Sequence, residues 1–102
     1  MSEKKGNGLD RYQQAVHMFG HQNVLQFDIL RLSEELSHVS SSVTTSVNDY
    51  YIKQDFDYDR LQADLSEGLS LISQIATTFG MKLSELATIK VNKLKEKQDG
   101  QE

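Results

Sequence analysis

The sequence predicts an all-α protein in which four helices form a bundle completed by another chain. None of the 102 residues is proline, and this favours long helices because proline is the residue that usually interrupts them. Apolar residues recur at alternating spacings of three and four, which is the pattern of a helix with one buried face. No segment has a strand pattern of consequence. These observations predict helices throughout the ordered chain.

The first helix is predicted at about residues 9–19, with Gly20 suited to the left-handed position that ends a helix. Its apolar stripe consists of Leu9, Tyr12, Val16 and Phe19. Residues 1–8 are charged and glycine-containing, with nothing to anchor them to a core, so we expect a disordered tail there.

The second helix is predicted at about residues 22–47 and is the longest. Its apolar seam consists of Leu25, Ile29, Leu32, Leu36, Val39 and Val43. A polar stripe beside that seam, suited to line a cleft between helices, consists of Asp28, Arg31, Glu35, His38 and Ser42. Residues 40–46 are all hydroxyl-bearing or β-branched and have poor helix propensity, so we expect tertiary contacts to hold them.

Residues 48–59 are predicted to connect the two long helices and hold half of the eight aromatic side chains. These are Tyr50, Tyr51, Phe56 and Tyr58. Three roles stay open for them: a short lid on the core, packing against a partner chain, or stacking on a base.

The third helix is predicted at residues 60–79, with Asp57 or Asp59 as its cap and Gly80 closing it. Its seam is predicted to consist of Leu61, Leu65, Leu69, Ile72, Ala76 and Phe79. Gly68 would let another helix or a ligand approach closely. A fourth helix is predicted at about residues 83–95, with lysines at its end. Its residues predicted to face inward are Leu83, Leu86, Ala87 and Leu94. Residues 98–102 are predicted to form a polar tail.

Composition indicates the compartment and excludes some partners. The net charge of −4 argues against general nucleic-acid binding, which needs a basic surface. The chain has no cysteine, and no apolar run approaches the about 20 residues of a membrane span. We therefore expect a cytoplasmic protein with neither nucleic-acid nor membrane partners.

Two acidic clusters on the long helices are the candidate site. Glu35 and His38 are three residues apart, as are Asp64 and Glu67, and residues at that spacing share one helix face. Two antiparallel helices can aim such pairs into one volume, which suits hard divalent cations. The clusters predict a metal-dependent site for a nucleotide phosphate.

These residues resemble the all-α nucleoside triphosphate pyrophosphohydrolases of the MazG-like group, especially the short single-domain versions common in bacteriophages. The resemblance covers about residues 10–97. Its carriers are residues 12–15, Gly20 with Gln22, Glu34-Glu35-Leu36, Asp64-Leu65-Ser66-Glu67, and the closing run of residues 79–95. It implies one helical domain at residues 9–97 and a location in the cytoplasm, that of the host if the chain is phage-encoded.

The resemblance implies hydrolysis of a nucleoside triphosphate to a monophosphate and pyrophosphate. It implies that Glu35, His38, Asp64 and Glu67 hold Mg²⁺ or Mn²⁺, with Glu34 and Glu35 catalytic. Arg31, Lys90, Asn92 and Lys93 are the candidates for binding phosphate or nucleotide.

The chain departs from the family pattern at three places. His38 stands where a third acid is expected, the Glu-x-x-Asp motif appears exchanged as Asp64-x-x-Glu67, and Ala63 replaces a frequent glutamate. Imidazole suits Mn²⁺ better than Mg²⁺. Two alternatives therefore stay open: a catalytically silent relative that binds a nucleotide or signalling nucleotide, and a di-metal helical bundle unrelated to nucleotides.

We also expect a homo-oligomer, either a dimer or a tetramer. The longest predicted helix would span about 39 Å, too long for the shorter helices of the same chain to cover.

Overall fold

The computed structural model describes residues 8–20, 26–53 and 55–100, and every regular element in them is a helix. The helices are α1 (Gly8–Gly20), α2 (Gln26–Ile52), α3 (Tyr58–Thr78) and α4 (Leu83–Gly100). The all-α prediction is confirmed for these ranges. The expected tail at residues 1–7 and the expected start of the second helix at residues 22–25 lie outside them.

Helices α2 and α3 form an antiparallel hairpin. Ser42 meets Asp64 by a hydrogen bond, and Val39 lies against Gly68 one turn further along. A Cβ added to Gly68 would lie 3.5 Å from the Val39 side chain, an ordinary van der Waals distance. The glycine therefore sits at the predicted close approach between helices, but the space there would accept an alanine.

The second helix continues past its predicted end. Residues 48–52, predicted as a connection, form the last turns of α2, which leaves only residues 53–57 for the link. The hydroxyls of Thr44 and Thr45 donate hydrogen bonds to the carbonyls of Ser40 and Ser41. Such bonds give the side chains partners inside the helix, and the hydroxyl-rich run remains helical.

Both ends of α3 have recognisable caps. The Asp57 carboxylate accepts a hydrogen bond of 3.0 Å from the Arg60 backbone N–H, as predicted for an N-cap. At the other end Gly80 has a φ of 73°, and the N–H groups of Gly80 and Met81 donate to the carbonyls of Thr77 and Ala76. This is the Schellman arrangement, and it turns the chain into α4.

The predicted seam of α3 is largely uncovered within one chain. Leu65 is 55% exposed, and Leu69, Ile72 and Phe79 are exposed as well. The buried residues of α3 are Gly68, Leu71, Ser73 and Ala76, and among these Ala76 is the one that belongs to the predicted seam. Within one chain Leu65, Leu69, Ile72 and Phe79 of the predicted seam stay uncovered, because α1 and α2 together cover the neighbouring face.

A single buried side chain joins α1 to the turn between α3 and α4. The Gln13 amide nitrogen donates to the Thr77 hydroxyl at 2.9 Å and to the Met81 carbonyl at 2.8 Å, and its oxygen accepts from the Leu83 N–H at 2.9 Å. Asp10 accepts hydrogen bonds from the backbone and hydroxyl of Ser84 at the start of α4. These bonds orient α4 on α1.

In the described part of the chain, α4 is exposed beyond Leu86, so Ala87 and Leu94, predicted to face inward, are not buried. All residues from 87 to 99 are exposed, and the helix runs to Gly100. It thus includes residues 98–100, which the sequence placed in a polar tail. None of the described helices is both long and apolar enough to cross a membrane.

Candidate functional site

The acidic residues and the histidine predicted for the site lie on the α2–α3 hairpin. Glu34, Glu35, His38 and Glu67 are exposed, and Asp64 is half-buried. Asp64 lies level with Ser42, and Gly68 with Val39. In this antiparallel register Glu67 comes level with Val39 and Ser40, next to His38.

The register also spreads the four predicted metal ligands along the hairpin. Glu35 is seven residues before Ser42, so it lies about 10 Å along the axis from the level of Asp64. Within the described part of the chain, no three histidine, aspartate or glutamate residues are grouped so that they could hold a metal ion. The side chains as placed therefore do not fit a ready divalent-cation site.

The centre of the site is a polar bridge, which we define as Ser42, Arg60 and Asp64. The Ser42 hydroxyl donates to an Asp64 carboxylate oxygen at 2.5 Å and accepts from the Arg60 guanidinium, whose Nη2 and Nε lie 3.0 Å and 3.3 Å away. A hydroxyl of α2 thus links a cation and a carboxylate that lie four residues apart on α3. Charge-assisted hydrogen bonds of this kind are stronger than neutral ones.

Tyr12 of α1 borders the same region, a role that its place in the apolar stripe did not predict. Burial raises the pKa of the Tyr12 phenol above its ordinary value of 10.0, and the negative charge of Glu67 raises it further. A carboxylate disfavours a nearby phenolate by like-charge repulsion. Tyr12 therefore stays protonated beside the acidic residues and can act as a hydrogen-bond donor.

The acidic side chains other than Asp64 remain available. Among the described residues, Glu35, His38 and Glu67 take part in no hydrogen bond or ion pair. Long exposed side chains of this kind are able to turn towards a ligand without breaking existing contacts.

The predicted phosphate-binding residues divide between two places. Arg31 lies exposed on α2 near the acidic residues, whereas Lys90, Asn92 and Lys93 lie exposed on α4. In the described ranges no hydrogen bond or ion pair links these three α4 residues to the α2–α3 hairpin.

A separate cavity of about 590 Å³ lies between α1 and the turn that leads into α4. Its wall includes Gln13 and Asp10, whose polar atoms already bind Leu83 and Ser84. The hydrogen bonds of these two residues serve the fold, so the acidic face of the hairpin remains the stronger candidate site.

Comparison of the chain with protein-family models, with curated proteins and with solved structures finds no match.

Proposed function

We propose that this chain is a MazG-like nucleotide-binding protein whose site lies on the acidic face of the α2–α3 hairpin. The observation that carries the proposal is the polar bridge, because a hydroxyl of α2 joins a guanidinium and a half-buried carboxylate that both lie on the facing helix α3. Arg60 offers a planar set of donors that suits phosphate oxygens. The neutral Tyr12 phenol adds a further donor near Glu67.

The reaction proposed for this site is hydrolysis of a nucleoside triphosphate to a monophosphate and pyrophosphate. The resemblance of the acidic clusters to the MazG-like group supports it, as do the exposed and unbonded Glu35 and Glu67. That resemblance also implies Mg²⁺ or Mn²⁺. Because the donors are spread along the hairpin, we assign no coordination geometry and no catalytic step to the cation.

A second candidate function is binding of a nucleotide without turnover. It is favoured by the Asp64 carboxylate, one oxygen of which is already bonded to Ser42. A carboxylate held in this way is less available to a cation than a free one. His38 in place of an acid also favours binding without turnover, since imidazole is a poor ligand for Mg²⁺.

The deciding experiment is incubation with a panel of nucleoside triphosphates and Mg²⁺ or Mn²⁺, with analysis of products. Release of a monophosphate and pyrophosphate, lost in Glu35→Gln, supports hydrolysis. Glu85→Gln is the matched control, because it makes the same change on the exposed start of α4.

Calorimetry with the same nucleotides separates the second candidate from a failed proposal. Saturable binding without product supports the silent form, and Arg60→Ala should then weaken it. Neither binding nor turnover with any nucleotide would remove the proposed function altogether.

A further inference from the structure

The end of the α2–α3 hairpin carries an exposed aromatic patch, which we call the aromatic tip: Tyr50, Tyr51, Ile52, Phe56 and Tyr58. Ring centroids lie 5.3 Å apart for Tyr50 and Tyr51 and 5.4 Å apart for Tyr50 and Phe56, with edge-to-face geometry. Phe56 contacts Tyr58 in the same way. The rings hold one another in place, although Tyr51 is 75% exposed and Tyr58 is 64% exposed.

An ordered and exposed aromatic cluster is typical of an interaction surface rather than of a core. Tyrosine provides large contact area with few rotatable bonds and is enriched at the energetic centres of interfaces. Ile52, next to Tyr51 in the chain, is 74% exposed as well. Exposed apolar residues grouped in this way mark a candidate interaction site.

The charge around the tip indicates what that partner is. Residues 49–59 contain four aspartates and one lysine, a net charge of −3. Lys53 is already paired with Asp49 at 3.7 Å. The matching surface is therefore apolar and basic.

The second half of α4 has both properties. Residues 89–97 contain four lysines and one glutamate, a net charge of +3, and Ile89, Val91 and Leu94 are each about half exposed. A helical segment of this length without tertiary contacts is only marginally stable in water. The apolar side chains of this segment therefore form a second exposed surface that a partner can bury.

We propose that the aromatic tip of one copy of this chain docks on residues 89–97 of α4 in a second copy. Within one chain the aromatic tip lies at the start of α3, whereas α4 begins beyond the other end of α3, which at 21 residues is about 31 Å long. A two-fold axis would make both contacts at once and close a dimer. Lysine ammonium groups would then lie against tyrosine rings and aspartates, where each is attracted.

This inference does not rest on the proposed nucleotide function. Its test is sedimentation velocity of the full chain over a range of concentrations, with Tyr51→Ser as the first variant. We expect wild type to dimerise and the dissociation constant of Tyr51→Ser to rise about tenfold or more. Phe19→Ser is the matched control, because Phe19 is 82% exposed at the end of α1 and lies outside both surfaces.

A charge-reversal cycle tests the register of the contact. Asp55→Lys and Lys95→Glu should each weaken the dimer, and the double variant should recover most of the loss, since opposite charges would again face each other. None of the residues changed belongs to the proposed nucleotide site. Failure of this cycle is thus distinguishable from failure of nucleotide binding.

Tyrosine fluorescence gives a readout specific to the tip. The chain has no tryptophan, and three of its four tyrosines belong to the tip. Dimerisation should therefore reduce quenching by iodide. A chain that stays monomeric at high concentration, or a dimer that is equally stable in wild type and Tyr51→Ser, would overturn the proposal; the second result would place the interface elsewhere.

Discussion

At the scale of single residues, the site is shaped by charges that the fold brings near one another. The Ser42 hydroxyl is hydrogen-bonded to both Arg60 and Asp64, and the negative charge of Glu67 acts on Tyr12. In each case a neutral hydroxyl stands beside a carboxylate. Such groups can donate hydrogen bonds to an anionic ligand while the carboxylates remain ionised.

The raised pKa of Tyr12 predicts a dependence of stability on high pH. A folded state that holds the phenolic proton more tightly than the unfolded chain keeps its advantage below about pH 10 and loses it as the pH rises through the folded pKa. Tyr12→Phe should therefore make unfolding less sensitive to pH in that alkaline range. Denaturant unfolding at a series of alkaline pH values checks this.

The contribution of Glu67 can be isolated by absorbance titration of tyrosinate. Glu67→Gln should lower the pKa of Tyr12, identified by difference from Tyr12→Phe, because a negative charge is removed. Glu85→Gln should leave the titration unchanged. An unaltered Tyr12 titration in Glu67→Gln would show that burial alone sets the pKa.

His38 is the residue at which the two candidate functions predict opposite effects. His38→Glu adds a carboxylate near the level of Glu67, and for a hydrolase this should raise the affinity for Mg²⁺ by about tenfold and increase pyrophosphate release. For a silent binder the added negative charge should repel the nucleotide and weaken its binding. Parallel measurements of Mg²⁺ affinity, turnover and nucleotide affinity distinguish the two. Unchanged tight binding with no turnover would contradict both.

At the scale of elements, helix orientation depends on a few polar contacts near the α3–α4 turn. Gln13 is only 8% exposed and satisfies three groups, on Thr77, Met81 and Leu83. The turn itself is set by the left-handed Gly80. Together these two features determine where α1 and α4 lie relative to α3.

Gln13→Ala should destabilise the fold more than most surface changes do. It leaves the Leu83 N–H and the Met81 carbonyl without their partner, at a cost of about 1–3 kcal/mol in the free energy of unfolding. Gln14→Ala next to it is exposed and should change stability by about 0.5 kcal/mol at most. Urea unfolding of both variants measures the difference, and equal effects would mean that the Gln13 bonds contribute little.

Replacement of Gly68 or of Gly80 by alanine should change the stability of the fold in opposite directions. Gly68→Ala places a methyl group at 3.5 Å from Val39, within ordinary contact, so better helix propensity should add about 0.5–1 kcal/mol of stability. Gly80→Ala puts a side chain at a φ of 73° and should cost about 1 kcal/mol or more. The midpoint of thermal unfolding measures both effects. Destabilisation by Gly68→Ala would mean that α2 and α3 pack more tightly here than the 3.5 Å distance to Val39 implies.

At the scale of the whole molecule, one chain has a thin core. Only Leu32, Leu71, Ala76 and Leu83 are buried apolar side chains in the described ranges. The radius of gyration of 16.5 Å exceeds the about 13 Å expected for a compact domain of this length. Apolar surface on α3, on α4 and at the aromatic tip therefore remains for other molecules to cover.

The thin core predicts that stability depends on protein concentration. If copies of the chain cover one another's apolar surfaces, the midpoint of thermal unfolding should rise as concentration increases, by mass action. Scans over a hundredfold range of concentration test this. A constant midpoint, with sedimentation at the 11.6 kDa mass of one chain, would show that the protomer is stable alone.

Local sequence determined the elements and their ends, because each depends on residues close together in the chain. Proline-free stretches with apolar spacings of three and four gave helices, Asp57 caps α3, and Gly80 ends it in a left-handed conformation. These features follow from backbone sterics and nearby hydrogen bonds. The hydroxyl-rich end of α2 is the exception, since weak propensity suggested an earlier end than Ile52.

Only the tertiary structure decided which surfaces are covered and which side chains meet. The seam of α3 was predictable as an apolar stripe, yet Leu65 and Leu69 are exposed because burial depends on where α1 and α2 lie. The bridge of Ser42, Arg60 and Asp64 joins residues up to 22 positions apart, and the Gln13 contacts span up to 70. Periodicity predicts the face of a helix, but the register between two helices is set by packing across the whole interface, such as Val39 against Gly68.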